Sequence, residues 1–256
     1  MTPAGAPERV AKRIARSGLC SRRDAERLIA AGRVAVDGEV LTSPARAVTE
    51  ADLVTVDGER LPAPGQPRLF RYHKPPGVLT AARDPVGRPT IYDRLPDGLP
   101  RLMPVGRLDM GSEGLLLLTN DGVLKRRLEL PATGWARRYR VRVHGRIEEA
   151  RLEALKNGIE LDGFRYGPIQ ATLDRVQGSN AWLTVALREG KNREIRRVLE
   201  HFGWPVSRLI RLSFGPFQLG NLAAGAVEEV PAKVLREQLG AGPASGSRSR
   251  DARRVR

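Results

Sequence analysis

Asp109 is the side chain whose setting most invites chemistry. It follows Arg107 by two positions in MPVGRLDMGSEGLLLLTNDG, residues 103–122, a glycine-rich approach to an apolar run. The glycines let the backbone turn tightly there. An aspartate beside glycine also closes Asx turns, so a turn residue and a reactive carboxylate are both open readings of this position. The other chemical feature is a concentration of cations. Arg9, Lys12, Arg13, Arg16, Arg22, Arg23 and Arg33 lie in residues 1–35, which hold eight Lys or Arg against three Asp or Glu. Such a group attracts phosphates and gains sequence-independent affinity from released counterions. A solvated helix face would carry similar charge, but residues 36–60 reverse the balance to two against six. That polarity within one short piece reads as arranged, and it favours nucleic acid as the partner.

Over its 256 residues the chain carries 44 Lys and Arg against 29 Asp and Glu, a formal net charge of +15. With 41% hydrophobic residues it can still fill a core, which excludes a disordered basic protein. The length allows one large or two small domains. A single cysteine, Cys20, excludes an intramolecular disulfide framework, and His73, His144 and His201 are too far apart to write a zinc pattern, so no metal is expected. A reducing, cytoplasmic location is expected, with no secretory leader and no membrane-spanning run of about 18 apolar residues. Aromatic residues are only 5% of the chain, which argues against a broad platform for stacking many bases.

The elements that must position these groups can be read from spacing. Residues 8–31 predict two short helices, with Val10 and Ile14 apolar on the first and Ala25, Leu28 and Ile29 on the second. Ser21 with Asp24 suggests a capping box, Gly18 and Gly32 fall at helix ends, and Arg9, Arg13 and Arg16 recur on one helical face. VAVDGEVL and LVTVDGERL each hold an Asp-Gly pair between alternating apolar residues, the signal of a hairpin. LPAPGQP at 61–67 can hold neither helix nor central strand and reads as a linker. In the larger part, YRVRVHG (139–145) and WLTVALREG read as strands, and LLLLT (115–119) as a strand buried on both faces. NREIRRVLEHFG reads as a helix with Asn192 as N-cap, an apolar stripe of Ile195, Val198, Leu199 and Phe202, and a polar stripe of Arg193, Arg196, Arg197 and Glu200. The expected fold class is α+β: a small helix-helix-hairpin module at 8–62, a mainly antiparallel mixed-sheet domain at 68–239, and a disordered basic tail at 240–256.

VGRLDMGSEGLLLLTNDG resembles the catalytic motif of the RNA pseudouridine synthases, in the branch of the small-subunit synthase A that acts on ribosomal RNA. The resemblance continues in order through YHKPPGVLTA (72–81), RRYRVRVHG (137–145) and EGKNREIRRVLEHFGWPVSRLIRLSFG (189–215). ERVAKRIARSGLCSRRDAERLIAAGRVAVDG is similar to the RNA-binding module of ribosomal protein S-four, so the likeness spans most of residues 8–231. NREIRRV followed by VSRLIR is most similar to the B-type subgroup of the large-subunit synthases. One departure is Ser112, where many relatives have Thr; the hydroxyl survives the exchange.

What the resemblance implies is an enzyme that converts a uridine of ribosomal RNA, of the large subunit for this subgroup, to pseudouridine. Asp109 would be its essential carboxylate, as nucleophile at the anomeric carbon or as base at the 2′ carbon. Arg196 would be the cation that pairs with Asp109, and Tyr139 the ring that stacks on the uracil. Arg107 would hold the flipped nucleotide, and Lys191 and Arg193 would contact RNA. The reaction gains and loses no atom, so no cofactor is expected; a monomer is expected. Small-subunit RNA is the nearest alternative substrate, and a non-catalytic assembly factor is the rival class. A uracil methyltransferase would need a cysteine nucleophile, and Cys20 lies in the helix turn of the N-terminal module, away from any glycine-rich strand-to-helix junction.

Overall fold

The computed structural model describes residues 6–130 and 133–240. The tail expected to be disordered lies, beyond Gly240, outside the described residues. β1 (Glu8–Arg9) leads into α1 (Val10–Arg16), followed by α2 (Arg22–Ala30). Val10, Ala11 and Ile14 pack with Ala25 and Ile29, as the apolar spacing requires, and all five are buried. Ser21 caps α2, its hydroxyl oxygen accepting the Asp24 N–H at 3.1 Å. Arg9 departs from the expected helical face: it is extended at the N-cap of α1 and pairs in a ladder instead.

β2 (Val34–Val36) and β3 (Glu39–Leu41) form the first hairpin, β4 (Ala47–Val48) pairs with β1, and β5 (Val54–Val56) with β6 (Glu59–Arg60) forms the second. The two hairpins join through β2 and β5 into one four-stranded sheet. Asp37 and Gly38, like Asp57 and Gly58, all have positive φ, the conformation a two-residue type I′ turn demands. Val34, Val36, Val54 and Val56 point from this sheet onto the helix pair and close a core of its own.

Residues 61–68 have no regular structure. After them come β7 (Leu69–Lys74), a one-turn 3-10 helix at Ile91–Arg94, β8 (Met103–Val105), β9 (Glu113–Thr119), α3 (Gly122–Glu129) and β10 (Arg137–His144). α4 (Glu149–Ala154), the small hairpin of β11 (Ile159–Leu161) and β12 (Phe164–Tyr166), β13 (Ile169–Gln177) and β14 (Asn180–Leu187) follow. Then come α5 (Glu194–His201), β15 (Val206–Phe214), β16 (Phe217–Gln218), β17 (Val227–Glu229) and α6 (Ala232–Leu239). Nine strands make one sheet in the order β13-β14-β10-β15-β9-β7-β17, with β16 on β15 and β8 on β9. Its pairings are antiparallel except β15 with β9, which run parallel.

β9 is the spine. Leu116 and Leu118 enter one core with Tyr72, Val141 and Leu183, while Leu115 and Leu117 enter a second with Leu124, Leu128 and Phe217. A continuous apolar run is what a strand covered on both faces needs. Gly114 is where β15 comes closest: a Cβ there would lie 2.4 Å from the Arg211 carbonyl oxygen, so only glycine admits this parallel pairing.

Two sequence expectations about α5 fail. The N-cap is Arg193, at φ 50° and ψ 29°, and not Asn192. The physical reason is a tight turn, in which the Glu194 carboxylate accepts the Lys191 N–H at 2.9 Å and Arg193 between them takes the left-handed conformation. Arg196 is also not on the exposed stripe: it is buried, whereas Arg197 is exposed. Glu194, left off both stripes, is buried as well.

Candidate active site

β8 and β15 occupy the same edge of β9 at opposite ends, pairing with residues 117–119 and 113–114. The loop 106–112 links β8 to β9 and emerges in the gap between them. Its backbone is tied down on every side of Asp109. Glu129 of α3 accepts the Gly106 N–H at 2.7 Å, and the Thr80 hydroxyl donates to the Leu108 carbonyl at 2.8 Å. Gly77 donates to the Met110 carbonyl at 2.8 Å, and Arg196 Nη2 donates to the Gly111 carbonyl at 3.1 Å. Lys74 Nζ, fully buried at the end of β7, donates to the Ser112 carbonyl at 2.8 Å, to Pro75 at 3.1 Å and to Met110 at 3.4 Å. Burial pushes the Lys74 ammonium down to about 8, with Asp109 and Glu113 opposing.

The turn expected at Asp109 is present, but the main chain closes it: Ser112 donates to the Asp109 carbonyl at 3.0 Å. The Asp109 carboxylate accepts no hydrogen bond from the described residues and stays half-exposed. Its nearest cation is Arg193, with Nη1 at 3.8 Å from Oδ2. This corrects the pairing expected of Arg196, whose Nη1 donates to the Val206 carbonyl at 2.8 Å and whose Nη2 holds Gly111. Arg196 senses Asp109 only at longer range; burial and the neighbouring Arg193 lower its proton affinity, and Asp109 opposes them. The left-handed turn at Arg193 thus delivers a cation to the carboxylate, while α5 behind it delivers a clamp to the loop.

Asp109 lines a cleft of about 320 Å³ together with Arg107, Tyr139, Lys191, Arg193 and Arg211. A second cleft, of about 470 Å³, meets it at Arg107, Asp109, Lys191 and Arg193. Tyr139 projects from β10 on the buried face, as its alternation in RRYRVRV requires. Five of the six residues expected of the catalytic domain therefore come together, with Arg196 one layer behind. Glu194 lies deeper in the same cleft. Burial, reinforced by the neighbouring Glu189 carboxyl, pushes its carboxyl up to about 7. Among the described residues no group of three or more His, Cys, Asp or Glu could hold a metal.

The basic residues of the N-terminal module stand elsewhere, and most have internal partners. Lys12 and Arg16 both reach Glu8, at 3.2 and 2.8 Å, Arg22 faces Glu26 at 3.8 Å, and Arg33 grips Asp57 through two hydrogen bonds of 2.7 and 2.5 Å. Arg9, Arg13 and Arg23 form no ion pair among the described residues; Arg23 shares a cleft with Arg27, Arg83 and Arg101, where the module meets the larger domain.

Sequence reasoning passed over Lys74, Glu194 and Arg211. A signal existed for two of them. Phe70, Tyr72 and Lys74 alternate on β7, and Leu209, Arg211 and Ser213 on β15, so each cation falls on its strand's core face. A charge there demands partners.

Residues 68–201 match the RNA pseudouridylate synthase family, and residues 8–54 match the S4 domain. An uncharacterized RNA pseudouridine synthase of Rickettsia bellii is 50% identical over 229 residues, which is 90% of this chain and 99% of that protein. Ribosomal large subunit pseudouridine synthase B of Pasteurella multocida is 40% identical over 243 residues, covering 91% of this chain and 70% of that one. A crystal structure of a pseudouridylate synthase superposes with a TM-score of 0.63 at 27% identity, over 90% of this chain and 99% of the other.

Proposed function

The chain belongs to the RNA pseudouridylate synthase family and is an RNA pseudouridine synthase, and we propose that it isomerises a uridine of large-subunit ribosomal RNA with Asp109 as the reacting carboxylate. The observation that carries this reading is a contrast at Asp109. Its backbone is fixed by five surrounding groups, yet among the described residues its carboxylate has no hydrogen-bond donor, and it opens into a cleft. A nucleophile at the anomeric carbon and a base at the 2′ carbon both need an ionised, aimed oxygen. Arg193 supplies the adjacent positive charge, and Arg196 and Lys74 supply the aim.

The uridine must leave its stack to reach this cleft, at a cost of about a few kcal/mol. Tyr139 receives the base, and Arg107 and Lys191 at the cleft rim hold the flanking backbone. The product contains the atoms of the substrate, so the chemistry calls for no cofactor. The module at 8–62 grips ribosomal RNA, the domain at 68–239 does the chemistry, and the protein works in the cytoplasm as a monomer. The large-subunit assignment is supported by a relative named for that subunit that matches most of this chain.

Asp109→Asn tests the reading, because the amide keeps the shape and removes both nucleophile and base. Pseudouridine formation in ribosomal RNA, incubated with protein and no cofactor, is expected to fall by at least about four orders of magnitude with RNA affinity unchanged. Residual turnover within about tenfold of the parent would sink the assignment. Pseudouridine maps of both ribosomal RNAs from cells with and without the gene then locate the target.

A further inference from the structure

Resting on the isomerisation proposed above, we infer that Arg211 is a further catalytic residue: it hydrogen-bonds a carbonyl oxygen of the uracil and stabilises the negative charge on the base while it is detached from the ribose.

The assignment comes from how three buried cations around the Asp109 loop spend their N–H groups. Lys74 gives its ammonium to three backbone carbonyls. Arg196 gives Nη1 to Val206 and Nη2 to Gly111, so that only its Nε, away from the fork of the guanidinium, is left without a partner among the described residues. Arg211 is only 3% exposed, yet among the described residues it gives only Nε, to the Leu115 carbonyl at 2.6 Å. Neither of its Nη groups has a partner among the described residues, and Nη2 is buried. None of the carboxylates near it takes one of these N–H groups: Asp109 stands beside Arg193 at 3.8 Å, and the other two face other donors. Glu113 is held by Arg208 at 2.6 and 3.1 Å, and Glu194 turns to the Lys191 N–H. Guanidinium N–H groups buried without a protein partner cost free energy that a hydrogen-bond acceptor entering the cleft can recover.

Its place suits a base. Arg211 lines the cleft of Asp109, and across the β10–β15 pairing it is the register partner of Tyr139. A ring held by Tyr139 therefore has Arg211 beside it. The Arg211 backbone is fixed by the parallel pairing at Gly114, and its guanidinium lies 5.5 Å from the centre of the Phe214 ring. The cation is thus preorganised and needs no rearrangement when charge develops.

The chemistry generates that charge. When the bond between C1′ and N1 breaks, its electron pair leaves with the uracil as an anion spread over N1, O2 and O4. C5 of the turned base then bonds C1′, the C5 proton departs, and N1 takes up a proton, so atoms and electrons balance. On the nucleophilic route the Asp109 ester bond breaks as C5 attacks; on the 2′ route the proton returns to C2′. Arg211 transfers no proton in either.

The test uses the full chain and a ribosomal RNA fragment that the parent protein modifies, with single-turnover rate and RNA affinity measured separately. Arg211→Ala is expected to lower the rate by about 100-fold or more with affinity changed by less than about threefold, and Arg211→Lys to keep part of the rate. Guanidinium ion at concentrations that leave the melting temperature unchanged is expected to restore part of the Arg211→Ala rate and none of the Asp109→Asn rate. A folded Arg211→Ala within about fivefold of the parent rate overturns the inference. So does a loss that neither lysine nor guanidinium relieves, or one that affinity loss fully accounts for. If Arg211→Ala does not fold, Arg211→Lys against Arg211→Met decides by the same rate criterion. A parent protein that makes no pseudouridine in any ribosomal RNA defeats the underlying reading instead, before any Arg211 variant is compared.

Discussion

Cations are plentiful both in the N-terminal module and around Asp109, but they are used in opposite ways. In the module they lie nearer the surface and are shared with carboxylates: the largely buried side chain of Glu8 for Lys12 and Arg16, and for Arg33 the exposed Asp57, which RNA phosphate can replace. Behind the Asp109 loop two of them are buried and spent on backbone carbonyls, which no ligand replaces: Lys74 on Ser112, Arg196 on Gly111 and Val206. The difference teaches that one residue type does two jobs by depth. Exposed, it supplies exchangeable and salt-screened attraction; buried, it supplies geometry.

The strongest way to break this comparison is at the buried end. Lys74→Met keeps the length of the side chain but leaves the carbonyls of Pro75 and Ser112 without this donor, Met110 keeping the Gly77 N–H. Each unsatisfied buried group costs about 1–3 kcal/mol, and in a domain of this size each kcal/mol shifts the melting temperature by roughly 2–4 °C. A fall of roughly 5–10 °C is expected, with isomerisation reduced by at least about tenfold as the loop loosens. Calorimetry and single-turnover kinetics check both; an unchanged melting temperature would mean that Lys74 is not the loop's anchor.

A cut in the proline linker sharpens the other side. The two parts have separate cores, with none of the module's buried residues in the cores of the sheet domain. Residues 63–256 should therefore fold and keep some chemistry while binding ribosomal RNA about tenfold or more weakly, with a salt slope reduced by about three units. Titrations at several salt concentrations measure this, and an unchanged slope would assign the module another job.

This division also explains how much the sequence disclosed. Elements were legible where one local pattern decides them: the Asp-Gly hairpins, the Ser21 cap, and LLLLT with leucines alternating into two cores. Asp109, Arg107, Tyr139, Lys191 and Arg193 were legible as a set through the resemblance alone, and the fold brings all five to one cleft. The missed features depend on particular side-chain partners, one near and one far in the chain, that helical periodicity does not encode. Arg193 adopts a left-handed turn where Glu194 folds back on Lys191, and Arg196 goes inward because Gly111, 85 residues away, offers a carbonyl. Helical periodicity, blind to both, put Arg196 on the solvent stripe.

Glu194 extends the contrast to acids, since burial holds its carboxyl up at about 7 against an ordinary 4.5. Between those values the folded chain keeps a proton that the unfolded chain has lost. Its contribution to stability is therefore complete below about pH 4.5 and is lost as the pH rises through 7. Glu189, held below 4.5 by the Gly167 N–H and Lys191 against its own burial, acts in the acid range below that window. Glu194→Gln should remove this slope, raising the melting temperature relative to the parent by a few degrees more at pH 7.5 than at pH 5. Parallel melting curves for variant and parent between those pH values would show that the proton sits elsewhere.

The smallest effect is expected at the surface, and its direction is the informative part. Asp57 occupies a turn position at φ 53° and holds Arg33 through two hydrogen bonds. Asn accepts that backbone conformation readily, so Asp57→Asn keeps the hairpin and removes only the charge. Exposed ion pairs contribute little to stability, so the melting temperature should move by no more than about 1 °C. Yet Asp57 competes with RNA phosphate for Arg33. Without it, affinity for ribosomal RNA should rise by about twofold to threefold at low salt, and the gain should fade toward 0.5 M salt, where the Debye length falls to about 4 Å. Weaker binding by the variant would mean that Asp57 orients Arg33 for RNA, which would make this surface pair geometric in the way the buried ones are.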